Sequence, residues 1–295
     1  MVAAAPQAFN HRLADAIRRV VLSKLEADTL QLPTLPPIAV KCTQMLRDEN
    51  VSMKTIAALL EQDPMLAVRV IRMAASPMYA VAGGKPLNLL DSLVRLGRES
   101  VKTALIEASA QKMFLSRDQR ILESTRWLWR HSGVVGQLSR DISTFVQSPD
   151  ADFAALAGLL HDIGKPVVAT ILLEAEREVS DLRNKKWIES PEWMWVISQC
   201  HRDVGVALAK KWELPALLVR TVRDCYQYDF NDRTAVCNAV CFANALAEAN
   251  GHTQDPDEIE DAQILLPSGQ KLLGFDDDTV KKLVASMSQL TGLYD

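Results

Sequence analysis

The chain has 295 residues, of which 48% are hydrophobic, and this is enough to bury a substantial core. Its 33 basic and 37 acidic residues give a formal charge of −4. Because nucleic-acid-binding proteins usually carry a basic excess, this balance argues against direct binding to DNA or RNA. The five cysteines include no CxxC pair and favour a reducing compartment. The N-terminus lacks the basic segment of a signal peptide, and no apolar run approaches roughly eighteen residues, so we expect a cytoplasmic protein without a membrane span.

Apolar residues recur at helical spacing through the first third of the chain. A proline-rich break at 32–37 follows a leader helix, because each proline disfavours helix in the residue before it. Ser52, Asp63 and Asn88 are each placed to cap a helix, and Gly97 is placed to stop one. No alternating run predicts a strand. The predicted helices cover residues 8–28, 38–46, 53–60, 64–75, 89–96 and 99–114.

The next two predicted helices, 118–146 and 151–163, carry the first histidines of interest. His131 lies on the apolar stripe of the first helix, where it is either a core histidine or a ligand. The second helix, capped by Asp150, has a face of small residues that ends at His161. Small residues let a neighbouring helix approach closely, so we expect His131 to come within reach of His161.

Five more helices are predicted before the C-terminal tail. Ser190 caps the second of them, and His201 leads into the third. After residue 255 the chain is more acidic and less regular, and its last helix begins at the acidic triplet 276–278, which complements the helix dipole. The five helices cover 165–179, 190–200, 201–212, 215–226 and 233–249.

The adjacent residues His161 and Asp162 are a candidate metal site. A borderline nitrogen ligand beside an anionic oxygen suits a divalent ion such as Mn, Fe, Zn or Mg. Neighbouring side chains on a regular helix point about 100° apart, so a shared ion requires the helix to be ending there. Gly164 is the residue type that permits such an ending. Taken alone, the pair is also compatible with a histidine that only makes a structural hydrogen bond.

Several short motifs occur in order along the chain: Leu32-Pro33-Thr34-Leu35-Pro36, Asp63-Pro64-Met65-Leu66, Ser76 with Tyr79, Leu96-Gly97, Gly158-Leu159-Leu160-His161-Asp162-Ile163-Gly164, His201-Arg202-Asp203-Val204-Gly205 and Trp212-Glu213-Leu214-Pro215. Together they resemble the successive motifs of HDOD domains, in the right order and over roughly residues 30 to 250. This resemblance implies an all-α, two-lobed helical bundle of bacterial, regulatory character, related to HD-domain phosphohydrolases and to HD-GYP cyclic-dinucleotide phosphodiesterases. The expected organisation is a leader helix at 1–28, an HDOD domain at 29–255 with lobes 29–116 and 117–255, and a tail at 256–295.

The resemblance assigns roles to individual residues. His131 matches the first ligand histidine of the HD superfamily, His161 and Asp162 match its defining pair, and His201 and Lys165 match a further histidine and a lysine of HD-GYP enzymes. Two positions depart from the pattern. Cys225-Tyr226 stands where HD-GYP enzymes have a His-His pair, and Asn244 stands where they have the last metal-binding aspartate.

These departures leave three functions open. The first is a non-catalytic regulatory protein that serves as a binding platform for another signalling protein or domain. The second is a phosphohydrolase with one divalent ion, held by His131, His161 and Asp162 with His201 and Asn244 as further candidates. In that enzyme Asp162 would orient the attacking water and Lys165 would offset charge on the phosphate oxygens. The third is a module that binds a nucleotide or cyclic dinucleotide without cleaving it.

Overall fold

The all-α prediction is confirmed. The computed structural model describes residues 34–75, 88–111, 118–183, 190–253 and 256–291, with single positions or short pieces at 16, 18–24, 26, 27, 29, 79, 86 and 114. Within these residues the regular elements are helices, and no strand occurs. The chain forms two compact units, one of residues 34–113 and one that combines residues 1–33 with 114–295.

Four helices make up the unit of residues 34–113, and they enclose their own apolar core. Ser52 accepts a hydrogen bond from the Thr55 amide, Asp63 accepts from the Met65 and Leu66 amides, and Asn88 accepts from the Asp91 amide, so the three predicted N-caps are confirmed. Gly97 has φ 74° and breaks the fourth helix at the predicted position. The helices are α1 (Pro37–Met45), α2 (Met53–Leu60), α3 (Pro64–Ala74) and α4 (Leu89–Gln111).

From residue 118 onward the described part of the other unit contains eight helices, and a second apolar core lies among them. These helices are α5 (Gln119–Phe145), α6 (Ala151–Leu160), α7 (Gly164–Arg183), α8 (Ser190–Lys211), α9 (Ala216–Asp224), α10 (Val236–Ala249), α11 (Pro256–Leu273) and α12 (Asp277–Thr291). Residues 16, 18–24 and 26 are helical, as predicted for the leader, and residue 27 is a turn. The other residues of that predicted helix lie outside the described residues.

Helices α5 and α6 approach each other at two glycines. A Cβ on Gly158 would lie 2.8 Å from the Gly136 Cα and 2.6 Å from the Ser139 Oγ, so only a residue without a side chain fits there. This close contact brings the His131 and His161 rings to 5.3 Å between centroids. The expectation drawn from the small-residue face of α6 is confirmed.

Four local predictions need correction. Helix α6 ends at Leu160 rather than 163, and Asp150 makes no side-chain cap hydrogen bond. The helices predicted on either side of His201 are one continuous helix, α8, because buried residues on both sides of the histidine follow one helical stripe. The tail is more regular than expected, since α11 precedes the final helix and packs on α10.

The segment Phe153–Glu174 is long and apolar enough in composition to span a membrane, and 89% of its most apolar window is buried within the fold. It comprises α6, the turn 161–163 and the first half of α7. Such burial is typical of a core segment, so this stretch carries little weight as a membrane span.

Candidate metal centre

Three elements bring four potential ligands together. His131 comes from α5, His161 and Asp162 from the turn between α6 and α7, and Asn244 from α10. One ligand atom from each of His131, His161 and Asp162 lies within 4.8 Å of the others, and all three residues are buried. The helix ends one residue before His161, as two adjacent ligands require.

Backbone carbonyls orient the two histidines. The His131 Nδ1 lies 2.8 Å from the His252 carbonyl oxygen, and the His161 Nδ1 lies 2.7 Å from the Gly158 carbonyl oxygen. A carbonyl can only accept, so Nδ1 carries the proton in each ring and the Nε2 lone pair points inward. Histidines that bind metals usually donate their other ring N–H to an oxygen in this way, which fixes the orientation of the ring.

The inward lone pairs meet a third acceptor. The Asn244 Oδ1 lies 3.1 Å from Nε2 of both His131 and His161, while its Nδ2 donates to the Glu248 Oε1 at 2.8 Å. The three atoms that face each other are all acceptors, and a cation between them would satisfy all three. Two imidazole nitrogens, an amide oxygen and the nearby Asp162 Oδ2 fit one borderline divalent ion such as Mn, Fe or Zn.

The same residues can also satisfy one another's hydrogen bonds when no ion is bound. If the Asn244 amide is turned over, its two N–H groups donate to the two histidines and its oxygen faces Glu248. Glu248 can donate to that oxygen, because burial and the neighbouring Glu258 raise the pKa of this carboxyl to about 9. Asn244 is thus suited to serve both an ion-bound and an ion-free centre.

Both oxygens of Asp162 already face other side chains. The Tyr226 hydroxyl donates to Oδ1 at 2.6 Å, and the Lys165 Nζ lies 2.7 Å from Oδ2. The lysine contact is an ion pair without good hydrogen-bond geometry, so among the described residues Oδ2 has no hydrogen-bond donor. Burial opposes the charge of this carboxyl, but His161 and Lys165 outweigh it and hold the pKa of Asp162 well below its usual range.

His201 lies beside the group and faces Tyr226 rather than the other histidines. Its Nε2 lies 2.9 Å from the Tyr226 hydroxyl oxygen, and its Nδ1 lies 3.1 Å from the Ile197 carbonyl oxygen. Both ring nitrogens of His201 thus already have a partner. Burial lowers the pKa of His201 to about 4, and burial together with the nearby His161 lowers the pKa of His131 to about 4, so both rings are neutral at pH 7.

Lys165 is buried, with 4% of its surface exposed. Besides Asp162 it contacts the Glu258 Oε1 at 2.9 Å, and the Thr253 hydroxyl donates to the other oxygen of Glu258. Burial would lower the pKa of Lys165, but Asp162 and Glu258 outweigh it and raise that pKa above its ordinary value. The lysine is therefore a permanent cation that is held inside the centre.

Residues of α8 to α11 line a cleft of about 570 Å³ beside the centre. Among the described residues that line it, Arg202 is the one basic side chain, and its guanidinium lies 3.8 Å from the centroid of the Tyr226 ring. Three carboxyl groups, those of Glu248, Glu258 and Asp261, line the same cleft.

Cys225 also lines the cleft but has the wrong chemistry for a soft-metal ligand. Burial and the charge of Asp162 raise the pKa of this thiol well above its ordinary value. A protonated thiol is a poor ligand, since metals bind the thiolate. We therefore do not count Cys225 among the candidate ligands.

Several residues of the centre were not found by sequence reasoning. The sequence motifs assign no role in the centre to Tyr226, Glu248 or Glu258. Trp127, whose ring stacks on His131 at 5.4 Å, was also missed as part of the centre. Glu248 lies four residues after Asn244, on the same face of α10, and this spacing was the one available signal.

The fold and the buried His-Asp group define an all-helical protein with a candidate metal centre, and comparison with known families identifies its family. The HDOD domain model matches residues 32–228, which is most of the chain. The chain therefore belongs to the HDOD family, as its motifs predicted. Asn244, Glu248 and Glu258 lie beyond the matched residues.

The solved structures that resemble the chain have the same fold at low sequence identity. A candidate metal-dependent phosphohydrolase from Shewanella amazonensis SB2B is 21% identical with a TM-score of 0.73, and the match covers 97% of this chain and 99% of that one. An HDOD domain protein of unknown function from Geobacter sulfurreducens is 21% identical with a TM-score of 0.62, and coverage is 95% and 96%. A candidate signal transduction protein from Marinobacter aquaeolei VT8 has the same identity and TM-score, covering 95% of this chain and 65% of that one. At these identities the likeness shows the fold.

A curated relative, an uncharacterized protein of Treponema pallidum, is 23% identical over 195 residues. The match covers 65% of this chain and 37% of the relative, so the chain spans well under half the length of that protein.

Proposed function

We propose that this chain is a regulatory HDOD protein that acts as a binding platform for another signalling protein, and that its HD centre holds one divalent ion without hydrolysing phosphoesters. The observation that carries the proposal is the engagement of Asp162. The Tyr226 hydroxyl donates to one of its oxygens, and the Lys165 ammonium pairs with the other, which is the oxygen that would face the ion, so an attacking water would have to displace one of these contacts. The name of the Marinobacter relative, a candidate signal transduction protein, is in line with a regulatory role.

The residues fit one ion and not two. His131, His161, Asp162 and Asn244 would hold the ion, and in a hydrolase such an ion supplies Lewis acidity and a bound water of lowered pKa. A second ion that clamps the leaving oxygen would need the His201 nitrogen, which is shared with Tyr226. Two-ion hydrolysis therefore lacks ligands here.

The charge of the cleft argues against the nucleotide-binding alternative. A cyclic dinucleotide brings two phosphate charges, and such groups are usually bound by several arginines or lysines. The cleft offers Arg202 beside three carboxyl groups. We therefore expect no saturable binding of a cyclic dinucleotide by the full chain.

Hydrolysis is tested with full chain that was purified without chelators or a metal-affinity tag. Bis(p-nitrophenyl) phosphate and a cyclic dinucleotide are incubated with Mn²⁺, Fe²⁺, Zn²⁺ or Mg²⁺, and Asp162→Ala is the control. We expect equal background rates for both proteins and elemental analysis that shows an ion in the wild type. Metal-dependent turnover that disappears in Asp162→Ala would replace this proposal with the phosphohydrolase, a function favoured by the retained His131, His161 and Asp162.

The platform role is tested by cross-linking in cells of the organism of origin. The same signalling protein should be recovered with the wild-type chain and with a folded Asp162→Ala chain, because the role does not need hydrolysis. Failure to recover any signalling protein with either chain would contradict it.

A further inference from the structure

The Lys165 ammonium lies between two carboxylates from different parts of the chain. Asp162 belongs to the turn before α7, whereas Glu258 lies in the first turn of α11, nearly a hundred residues later. Glu258 is also held by the Thr253 hydroxyl. The lysine thus has two anionic partners within 3 Å, 2.7 Å for Asp162 and 2.9 Å for Glu258.

The oxygen that Lys165 faces is the one turned toward the histidines. The Asp162 Oδ2 lies 3.4 Å from the His161 Nε2 and 3.9 Å from the His131 Nε2. An ion bound by these nitrogens and this oxygen would share the oxygen with the ammonium. Two cations on one buried carboxylate oxygen repel each other strongly, because the interior screens charge poorly.

We propose that the Lys165 ammonium competes with the divalent ion for Asp162. We also propose that Glu258 is the counter-ion that holds the ammonium in place when the ion binds. The inference rests on the one-ion centre proposed above. It makes Lys165 and Glu258 residues that set ion affinity, although neither is a ligand. It also couples α11, which lies outside the family-matched residues, to the state of the centre.

The two partners have opposite effects under this proposal. Lys165→Met removes the competitor, so the ion should bind more tightly. Glu258→Gln leaves Asp162 as the only counter-ion of the lysine, so the ion should bind more weakly. A salt bridge that only supports the fold would make both substitutions weaken binding, because each leaves a buried charge without its partner.

The test is isothermal titration of the metal-free full chain with Mn²⁺ alone. We expect affinity about tenfold or more higher in Lys165→Met and about tenfold lower in Glu258→Gln, as removal of a close unit charge implies. In the double variant Lys165→Met/Glu258→Gln, the loss of Mn²⁺ affinity that Glu258→Gln causes should largely disappear, because no lysine remains for Glu258 to hold. The matched controls are Lys102→Met and Glu99→Gln, which break an ion pair in the other unit and should leave affinity unchanged.

Each contrary result is distinct. Unchanged or weaker binding in Lys165→Met overturns the competition, and Lys165→Gln repeats this test if the methionine variant does not fold. An undiminished loss from Glu258→Gln in the Lys165→Met background shows that Glu258 acts through charge alone, which overturns its role as counter-ion. If Mn²⁺ binds to none of the folded proteins, the one-ion centre of the proposed function fails as well.

Hydrogen exchange gives a readout that does not depend on affinity. In the metal-free state, Glu258→Gln should increase amide exchange in the first turns of α11, because its link to Lys165 is lost. Exchange in α11 that is identical in Glu258→Gln and the wild type would contradict the coupling of this helix to the centre.

Discussion

At the scale of single residues, the amide of Asn244 decides how strongly the centre can retain an ion. An amide oxygen binds a divalent ion without neutralising its charge, so Asp162 is left as the one carboxylate among the four proposed ligands. The same amide can satisfy both histidines when no ion is present. Asn244 therefore favours reversible binding over permanent retention.

Asn244→Asp should raise the affinity for Mn²⁺ about tenfold or more, because a second carboxylate adds charge to the ligand set. Titration calorimetry measures the change. Asn231→Asp, which adds the same charge at an exposed loop position, should have no effect. Equal affinity in Asn244→Asp and the wild type would show that Oδ1 of Asn244 does not contact the ion.

Tyr226 is the residue that closes the other side of the centre. Its hydroxyl donates to Asp162 and lies 2.9 Å from the His201 Nε2, and the Arg202 guanidinium packs over its ring. Burial and the charge of Asp162 raise the pKa of this phenol well above its ordinary value, so it remains a donor.

Tyr226→Phe should lower the free energy of unfolding by about 1–3 kcal/mol, because a buried oxygen of Asp162 loses its donor. Urea unfolding measures the loss. Tyr228→Phe is the matched control, since the Tyr228 hydroxyl is buried beside the weakly polar Cys241 thiol and has no hydrogen bond of good geometry to a described residue. Equal losses in the two variants would contradict the importance of the contact with Asp162.

At the scale of elements, Gly164 has a different role from the one its sequence position indicated. It begins α7 instead of ending α6 in a left-handed conformation. A Cβ at this position would lie 1.8 Å from the His201 carbonyl oxygen on α8. The glycine therefore lets α7 and α8 cross closely and places His201 next to Asp162.

Gly164→Ala should lower the free energy of unfolding by about 3 kcal/mol or more, because the added methyl group overlaps backbone that cannot move away easily. Thermal and urea unfolding measure the loss. Gly205→Ala, at the same crossing, adds a Cβ that would lie 3.2 Å from a side-chain methyl of Val222, and it should change stability by less than about 1 kcal/mol. A comparable loss in both variants would contradict the special closeness at Gly164.

At the scale of the whole molecule, the second unit is completed by helices beyond the family-matched residues. Leu273, Phe275 and Met287 belong to its buried core. The Phe275 ring contacts Phe145 at 4.9 Å and Phe242 at 5.3 Å between centroids. The C-terminal segment thus supplies both core residues and the Glu258 contact.

Phe275→Ala should lower the free energy of unfolding by about 3–5 kcal/mol, as expected for loss of a buried aromatic side chain. Calorimetric unfolding of the full chain measures the change. Phe230→Ala removes an aromatic ring that is 68% exposed, and it should cost less than about 1 kcal/mol. A loss in Phe275→Ala as small as the loss in Phe230→Ala would show that Phe275, between α11 and α12, contributes little to the core.

Particular residues show how far the sequence determined the structure. Helical periodicity, the caps at Ser52 and Asp63 and the stop at Gly97 determined most of the elements, because these signals act within a few residues. The small-residue face of α6 predicted the approach of His131 to His161. The His-Asp pair and its accompanying motifs indicated the family.

Tertiary structure alone decided which other groups complete the centre. Tyr226 follows α9, Glu248 lies in α10 and Glu258 lies in α11, and the residues around Tyr226 and Glu258 in the chain do not indicate that they belong to the centre. Whether Lys165 is solvated or buried depends on Glu258, which lies 93 positions away. The sequence thus determined the helices and the family. The protonation states and contacts of the residues in the centre follow from long-range packing, because electrostatic interactions depend on distance in space rather than along the chain.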